Sequence, residues 1–410
     1  MEKNRLYADR SKCCGCFACK DACPKDAITI RATETGFLYP EIDTAKCVNC
    51  GLCIRICGYK KGNDGKRPEE VFAAASKSNA ILSAAASGGI FSVMAKEIVN
   101  NGGVVCGSAM FRTETGFLVK HSFADKEKEL KKLAGSKYVE SAADGVFGEA
   151  EEILRSGKRL LFSGTPCQVA ALKSFLRKDY DNLITVDLIC HGVPSLKLFN
   201  DYIRFYEKKH SCIVMDFVFR DKSRGQGMNC RITEKSGEKT RVKVMDGRLS
   251  SYFGMFLKGS VYRENCYSCP YASEKRVSDV TLGDYWGVYQ EHAGEVGKAG
   301  LDNRKGISCV LINTGKGAGL WQRISENVLC FHSELGKVAA HNDRLITPSS
   351  KPADREHVMQ SYILNGYESV DEIYSKEIRI KKYRYILEFH TPKTVKRTLK
   401  RILSNRARRC

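Results

Sequence analysis

Eight cysteines stand in two runs of identical spacing near the start of the chain. The pattern C-x-x-C-x-x-C-x-x-x-C is formed first by Cys13, Cys16, Cys19 and Cys23, and then by Cys47, Cys50, Cys53 and Cys57. A cubane cluster needs four converging thiolates, and two-residue spacers let three sulfurs of one loop wrap it. The spacing therefore predicts two [4Fe–4S] clusters. Zinc is the alternative metal, but it prefers paired C-x-x-C knuckles to triple runs.

In this pattern the fourth cysteine of each run serves the other cluster. We therefore expect one cluster on Cys13, Cys16, Cys19 and Cys57, and the other on Cys47, Cys50, Cys53 and Cys23. Pro24 fits the bacterial form of the pattern, whereas Gly58 departs from it at a position that is not a ligand. Cys14 is an extra thiol inside the first loop, and the spacing gives it no role.

Four further cysteines predict a third cluster, although no contiguous motif carries it. Cys167 follows Thr165-Pro166, a pair that fits the cap and first position of a helix. Cys190 ends the next predicted strand, so both thiols belong at the carboxyl edge of one sheet, where such sheets bind ligands. Cys266 and Cys269 supply two more sulfurs. A zinc knuckle at the last two, a redox-active Cys167 and inert buried thiols are the alternatives.

The composition favours metal binding as the main role of the nineteen cysteines. The first ten residues are charged and contain no apolar segment typical of a signal peptide, and no stretch approaches eighteen apolar residues. We therefore expect a cytoplasmic protein, in which thiols persist and disulfides are rare. Six cysteines have no partner spacing and are expected to be core or surface residues: Cys106, Cys212, Cys230, Cys309, Cys330 and Cys410.

The elements that position these cysteines predict an α+β/α/β protein. We expect a small bacterial-ferredoxin-like domain, a larger α/β domain with a mixed sheet, and a basic tail. The predicted bounds are 1–59 for the first domain, 60–70 for a linker, 71–345 for the second domain, 346–375 for another linker and 376–410 for the tail. The segments KRLLFSG and LITVDLIC read as strands followed by helices from Pro166 and Pro194, which favours a parallel core. Residues 212–245 alternate as antiparallel strands do.

Glycine-rich segments offer two candidate ligand loops. Ser87, Gly88 and Gly89 precede a predicted helix whose first N–H groups suit a phosphate, although a plain helix cap is the alternative. Residues 135–138 (GSKY) place a cation, a hydroxyl and an aromatic ring in one loop. Residues 315–319 (GKGAG) are predicted to form a turn rather than a nucleotide loop.

From about Val71 to Gly319 the chain resembles the beta subunit family of coenzyme F420 hydrogenases and dehydrogenases. Seven short segments carry the resemblance: ASGG at 86–89, GSKYV at 135–139, FSGTPCQ at 162–168, CHGVPS at 190–195, FRDK at 219–222, CYSCPYA at 266–272 and LGDYWG at 282–287. The resemblance implies FAD beside an iron–sulfur cluster. It also implies electron transfer between cluster, flavin and a soluble hydride carrier or organic substrate.

The resemblance assigns roles to particular residues. It implies cluster ligation by Cys167, Cys190, Cys266 and Cys269, flavin contacts from Ser87, Gly88, Gly89, Ser136 and Lys137, and a pocket wall that includes Asp284, Tyr285 and Trp286. His191 follows a predicted cluster ligand at the ligand-binding edge of the sheet, which suggests a proton donor, with a structural role as the alternative.

We therefore predict an FAD- and iron–sulfur-dependent oxidoreductase that takes electrons from a ferredoxin-type donor. The alternative is a relay subunit, without a substrate of its own, that docks on a hydrogenase or dehydrogenase. A nucleic-acid partner is disfavoured because no nucleic-acid-binding motif is present.

The tail holds a large share of the formal net charge of +20. Val395, Leu399, Ile402 and Leu403 recur at helical spacing among Lys and Arg residues. This pattern predicts a basic amphipathic helix on an anionic membrane surface or an acidic partner, with a solvated, frayed helix as the alternative.

Overall fold

The computed structural model describes residues 6–7 and 9–391. Its strands are β1 Ile28–Ala32, β2 Leu38–Ile42, β3 Glu70–Ser76, β4 Val104–Thr113, β5 Gly116–Ala124, β6 Leu160–Ser163, β7 Leu183–Leu188, β8 Ile213–Val218, β9 Asn229–Ser236, β10 Lys239–Asp246, β11 Val280–Asp284, β12 Ser308–Ile312 and β13 Val328–His332. Its α-helices are α1 Ala18–Asp21, α2 Leu52–Arg55, α3 Gly58–Lys61, α4 Asn79–Ala84, α5 Ile90–Asn100, α6 Leu130–Leu133, α7 Val146–Arg155, α8 Pro166–Leu176, α9 Leu196–His210, α10 Ser251–Lys258, α11 Val288–Glu291, α12 Ala293–Lys298, α13 Gly315–Ile324, α14 Leu335–Ala339, α15 Arg355–Asn365, α16 Tyr367–Glu377 and α17 Lys381–His390.

An eight-stranded mixed sheet organises the larger part of the chain, in the order β13-β3-β12-β11-β7-β6-β4-β5. The four inner strands β4, β6, β7 and β11 run parallel, and the outer pairs are antiparallel. Parallel strands must be covered on both faces, which explains the nearly continuous burial of β7. The predicted mixed sheet is confirmed. Helices α5 and α13 pack on one face, and α7 and α8 pack on the other.

A three-stranded antiparallel sheet, β10-β9-β8, lies beside the main sheet, as the alternation of residues 212–245 predicts. It packs with α9, α10, α15 and α16 in an aromatic core that includes Phe199, Phe217, Phe219 and Tyr252. Ser195 caps α9 by accepting a hydrogen bond from Leu198 N (3.2 Å), so the first residue of this helix, Leu196, lies two residues after the predicted Pro194.

The N-terminal unit, residues 6–61, consists of the β1–β2 hairpin and three helices of one turn each. Ala18 and Ile56 are buried in the same core cluster as α7 and α8. Gly58 lies so close to α8 that an added Cβ would stand 2.7 Å from the carbonyl oxygen of Ala170. The small unit therefore packs directly on α8, the helix whose first turn carries Cys167.

Two elements differ from the sequence prediction. Residues 346–375, expected as a linker, contain α15 and α16, whose buried side chains are partly the tyrosines Tyr362, Tyr367 and Tyr374 rather than an aliphatic stripe. Residues 315–319, expected as a turn, form the start of α13, and Gly317 is required there because a Cβ would stand 2.2 Å from the carbonyl oxygen of Asp279. Among the described helices, none combines the length and apolar character needed to cross a bilayer. The predicted tail helix around Val395–Leu403 lies outside the described residues.

Candidate functional site

The two cysteine loops of the N-terminal unit repeat each other in backbone conformation. Gly15 and Asn49, each just before the second cysteine of its run, have φ angles of 68° and 56°. Phe17 and Gly51, each just after that cysteine, have φ angles of 64° and 70°. Left-handed backbone is uncommon for a bulky residue such as Phe, so its recurrence shows that the loop shape is specified at equivalent positions. Each loop leads into a one-turn helix, α1 or α2.

The neighbours of each thiol divide these cysteines crosswise. Burial raises the pKa of Cys13, and the thiols of Cys16 and Cys57 add to the increase. Burial also raises the pKa of Cys53, and there the contributing thiols are those of Cys50, Cys23 and Cys47. Cys57 thus lies with the first run, and we call Cys13, Cys16, Cys19 and Cys57 the first set.

The second set comprises Cys23, Cys47, Cys50 and Cys53, which together line a cavity of about 30 Å³. This places Cys23 with the second run. Cys50 is exposed, as are the neighbouring apolar residues Val48 and Ile54. The second set therefore lies closest to solvent of the cysteine groups described here.

The third set, Cys167, Cys190, Cys266 and Cys269, comes together at the carboxyl edge of the main sheet. Burial, followed by the thiols of Cys167 and Cys269, raises the pKa of Cys190 to about 12. Burial and then the thiols of Cys190, Cys269 and Cys167 raise the pKa of Cys266.

Cys167 is held by the predicted cap of α8. Thr165 N donates to the Gln168 side-chain oxygen at 3.0 Å, and Pro166 occupies the first helical position. The Thr165 hydroxyl lies 3.1 Å from Cys167 Sγ.

None of these sets resembles the site of a single metal ion. Among residues 6–7 and 9–391, no three His, Cys, Asp or Glu side chains close tightly enough around one point to hold one. The sulfur ligands of a cubane are spread by the cluster between them, so four neighbouring thiols in a wider arrangement are the relevant comparison. Their service as ligands stays a prediction.

Cys14, which the spacing left without a role, lies between the first and third sets. Hydrogen bonding to the thiols of Cys16 and Cys167 raises the pKa of Cys14, and burial raises it further. The same contact with Cys14 is the main reason that the pKa of Cys167 is lowered to about 7. A thiol from the first set and a thiol from the third set therefore lie beside the Cys14 side chain.

Arg263 joins the first and third sets through its backbone and its side chain. Its carbonyl accepts a hydrogen bond from Cys266 N at 3.0 Å. Its guanidinium, which is 0% exposed, donates to the carbonyl oxygens of Cys13 (3.1 Å) and Leu38 (2.7 Å) and to Glu140 (2.9 Å). Nothing in the cysteine spacing indicated this residue or Glu140.

The residues expected to contact flavin lie near the carboxyl edge of the main sheet, and several of them already form hydrogen bonds within the protein. Ser87 Oγ donates to Ile307 O at 3.0 Å, and Gly88 N donates to Ser308 Oγ at 3.0 Å. Gly89 is the N-cap of α5 and has a φ of 79°.

Lys137 and Ser136 follow α6 in the chain. Lys137 Nζ donates to the carbonyl oxygens of Lys132, Leu133 and Ala134 at 2.9–3.0 Å, so its three donors cap the end of α6. Ser136 is half-buried beside it.

Three of the resembling segments meet in one buried network. Asp284, at the end of β11, accepts hydrogen bonds from Arg220 (2.7 and 3.2 Å) and from the Gln226 amide (2.6 Å). Arg220 also donates to the Tyr138 hydroxyl at 3.0 Å, and its guanidinium lies 5.6 Å from the Trp286 ring. Arg220 lies in the segment FRDK, so the family resemblance could have indicated it as a site residue. No sequence feature indicated Gln226.

A cavity of about 250 Å³ opens beside the third set. His191, Tyr262, Trp286, His341 and Arg344 are among the residues that line it. Desolvation of the imidazole ring, followed by the positive charge of Arg344, lowers the pKa of His191.

Tyr285 does not share this wall. It is 3% exposed, and its hydroxyl lies 2.6 Å from the Ser333 hydroxyl in a separate core cluster. Trp286 lies in the turn that follows β11, and of these two residues only Trp286 reaches the cavity.

Comparisons with known proteins match both parts of the chain. The N-terminal and C-terminal models of the coenzyme F420 hydrogenase/dehydrogenase beta subunit match residues 71–145 and 157–335, which together exceed half of the chain. A 4Fe-4S dicluster domain matches residues 12–61. The predicted pair of [4Fe–4S] clusters is therefore supported by an independent match.

Similar proteins include two single chains and one chain of a larger complex. A subunit of the F(420)H(2) dehydrogenase of Methanosarcina mazei is 27% identical over 190 residues, which are 43% of this chain and 53% of that protein. An uncharacterized ferredoxin of Methanocaldococcus jannaschii is 38% identical over 52 residues, which are 13% of this chain and 66% of the relative. The F420-reducing [NiFe] hydrogenase complex of Methanosarcina barkeri contains a chain that is 15% identical, with a TM-score of 0.44, over 75% of this chain and 91% of that one. The match to the first of these spans about half of its length.

Proposed function

The chain belongs to the coenzyme F420 hydrogenase/dehydrogenase beta subunit family and carries a 4Fe-4S dicluster domain, and on this premise we propose an iron–sulfur flavoprotein oxidoreductase. Electrons from a ferredoxin-type donor enter at the second set and pass to the first set and then the third. From there they reach FAD and a soluble hydride acceptor or organic substrate. Clusters carry single electrons, whereas a bound flavin collects two and exchanges a hydride.

The contact made by Cys14 is the observation that carries this proposal. Cys14 lies beside Cys16 of the first set and Cys167 of the third. Arg263 also joins these two sets, because its side chain donates to Cys13 O and its carbonyl accepts from Cys266 N. A dicluster unit that only stabilised the fold would not need its innermost thiols against those of a second site. The order of the sets also fits a path, because Cys50 of the second set is exposed whereas all four cysteines of the third set are partly buried.

The protein's own residues support this path by fixing the loops and excluding water. The segment that carries Cys266 and Cys269 has no α-helix or strand of its own, and three buried arginines brace it. Arg263 binds the first loop, Arg276 donates to Tyr271 O and Leu188 O at 3.0 Å each, and Arg355 donates to Tyr262 O at 3.0 Å.

The structure offers two features that fit FAD. Gly89 has no side chain with which to cap α5, so the first N–H groups of this helix suit a pyrophosphate. Gln226 Oε1 is buried and accepts no hydrogen bond from the described residues, which leaves an acceptor for a ring N–H. On this assignment Ser136, Asp284 and Trp286 line the site, while Ser87, Gly88 and Lys137 support it through the bonds that they already make. His191, beside the cavity, is the proposed proton donor.

Anaerobic purification of the full chain tests the proposal. After cluster reconstitution the released flavin is identified by chromatography and mass, and the bound flavin is then titrated with a reduced ferredoxin. We expect FAD that loses its oxidised absorbance band as the ferredoxin is added. A protein that holds clusters but neither contains nor takes up FAD would overturn the flavoprotein assignment.

The second candidate is a relay subunit that passes electrons to a separate enzyme. A similar protein favours it, because the relative from Methanosarcina mazei is named as a subunit of a dehydrogenase. In that case the isolated chain would reduce no small molecule even when its clusters are reduced.

A further inference from the structure

Helix α17 presents a stripe of large apolar side chains on its outer face. Ile380, directly before the helix, is 88% exposed, Tyr383 is 76% exposed and Leu387 is 68% exposed. Spacings of three and four residues place them on one side of the helix. Single exposed apolar residues are common in proteins, but a contiguous group of this kind marks a contact surface. We call these three residues the outer stripe.

The opposite side of α17 is anchored to the protein. Arg248 donates to Glu388 at 2.9 Å and lies 4.1 Å from the Tyr385 ring centroid. Arg224 donates to the Phe389 carbonyl at 2.9 Å and lies 4.2 Å from its ring. These contacts fix the rotation of the helix and hold the outer stripe away from the core. Within the part of the chain that the structure describes, no other element covers the stripe.

Positive charge lies close to the outer stripe. Arg379 and Arg384 are exposed and flank it, and Lys381 and Lys382 are exposed farther round the same helix. Glu388 is engaged by Arg248 and lies 3.5 Å from Arg384 Nε. Residues 392–410, which lie outside the described structure, contain eight Lys and Arg and no Asp or Glu. The apolar residues and the charges thus occupy the same end of the chain.

We propose that the outer stripe and its basic flanks dock this protein on the surface of an anionic lipid bilayer. A helix with an exposed apolar side and cationic flanks lies in the plane of the interface, with its apolar residues in the acyl boundary and its cations near the headgroups. A diffuse anionic surface suits charges spread along thirty residues better than a single acidic protein groove does. This inference is independent of the redox function.

Vesicle sedimentation of the full chain tests the docking, with phosphatidylglycerol–phosphatidylcholine vesicles and pure phosphatidylcholine vesicles at low and high salt. The wild type should bind the anionic vesicles at low salt, lose binding as salt rises and leave the neutral vesicles free. The double variant Tyr383→Glu/Leu387→Glu should bind the anionic vesicles at least about tenfold more weakly than the wild type does, because two apolar side chains no longer insert.

Ile213→Glu is the matched control. Ile213 is 53% exposed on β8, so this variant adds a carboxylate at an exposed apolar position away from α17 and should bind as the wild type does. A second measurement uses Tyr383→Trp, whose emission should shift to shorter wavelength with anionic vesicles only.

Two results would overturn the docking. One is equal binding of the wild type and the Tyr383→Glu/Leu387→Glu variant. The other is an absence of wild-type binding at low salt, including the case in which the stripe instead supports self-association.

Discussion

Cys167 is central to the proposed electron path, because it neighbours the rest of the third set and also Cys14, which lies beside Cys16 of the first set. Its position follows from local chemistry that the sequence displays. Thr165 and Pro166 begin α8, and the helix N-terminus favours a thiolate. The spacing of the cysteines could not identify the partners of Cys167, because Cys190 follows a strand and Cys266 and Cys269 lie in a segment far away in the sequence.

Replacement of Cys167 separates the third set from the others. We expect Cys167→Ser to retain the two dicluster-domain clusters and to lose about four iron atoms per chain, since a cubane needs four thiolates. Reduction of bound flavin by a ferredoxin should slow greatly, as followed by stopped-flow absorbance.

Cys212→Ser is the control, because Cys212 is also partly buried but belongs to none of the three sets. It should match the wild type in iron content and rate. Unchanged flavin reduction in Cys167→Ser would show that this thiol is not on the path.

The Arg263–Glu140 pair provides a second test at this scale. Arg263→Met should destabilise the fold by about 3–5 kcal/mol, because it leaves the buried Glu140 carboxylate unpaired. Adding Glu140→Gln should restore part of that loss. Anaerobic urea unfolding measures both changes.

Arg231 serves as the comparison, since its side chain is 39% exposed and its ion pairs are longer, at 3.5 and 3.7 Å. Arg231→Met should cost less than about 1 kcal/mol. An equal loss for the two arginine variants would contradict the bracing role of Arg263.

At the scale of elements, the N-terminus of α5 is the proposed binding position of the FAD pyrophosphate, and it can be tested by substitution. Ser92, in the first turn, is half-buried. Ser92→Glu should stabilise the helix end, since negative charge there is favourable, and yet weaken FAD binding about two- to fivefold by competing with the pyrophosphate. Flavin fluorescence titration measures the affinity, and thermal melting of the flavin-free protein measures the stability.

Ser92→Gln keeps the side-chain length without the charge and should bind FAD as the wild type does. Tighter FAD binding by Ser92→Glu would place the pyrophosphate elsewhere. Lys137→Glu is a poorer probe than Ser92→Glu, because Lys137 caps α6 and its loss affects folding as well as binding.

The elements show where sequence reasoning succeeds. Strands β6 and β7 and helix α8 were predictable because short apolar runs and a Thr-Pro cap are local signals. Helices α15 and α16 were missed because tyrosines make up much of their buried face, so the apolar period is weak. The Arg220–Asp284–Gln226 network was beyond prediction as a unit, since its members meet only after β11 and the loop following β8 have packed together.

For the whole molecule, a small cysteine-rich unit packs against the carboxyl edge and helical layer of a mixed sheet. Sequence predicted both parts and their family, but not the side on which they meet. That side is set by distributed contacts, such as Gly58 against α8 and Ser195 Oγ donating to Thr35 O at 2.6 Å. These contacts bring the first set beside the third, which is what a continuous path requires.

Counting iron and acid-labile sulfide in the anaerobically reconstituted full chain tests this arrangement most directly. Three cubanes predict about twelve iron and twelve sulfide per chain. A reproducible plateau near eight of each would contradict the third cluster and leave Cys167, Cys190, Cys266 and Cys269 without a shared role.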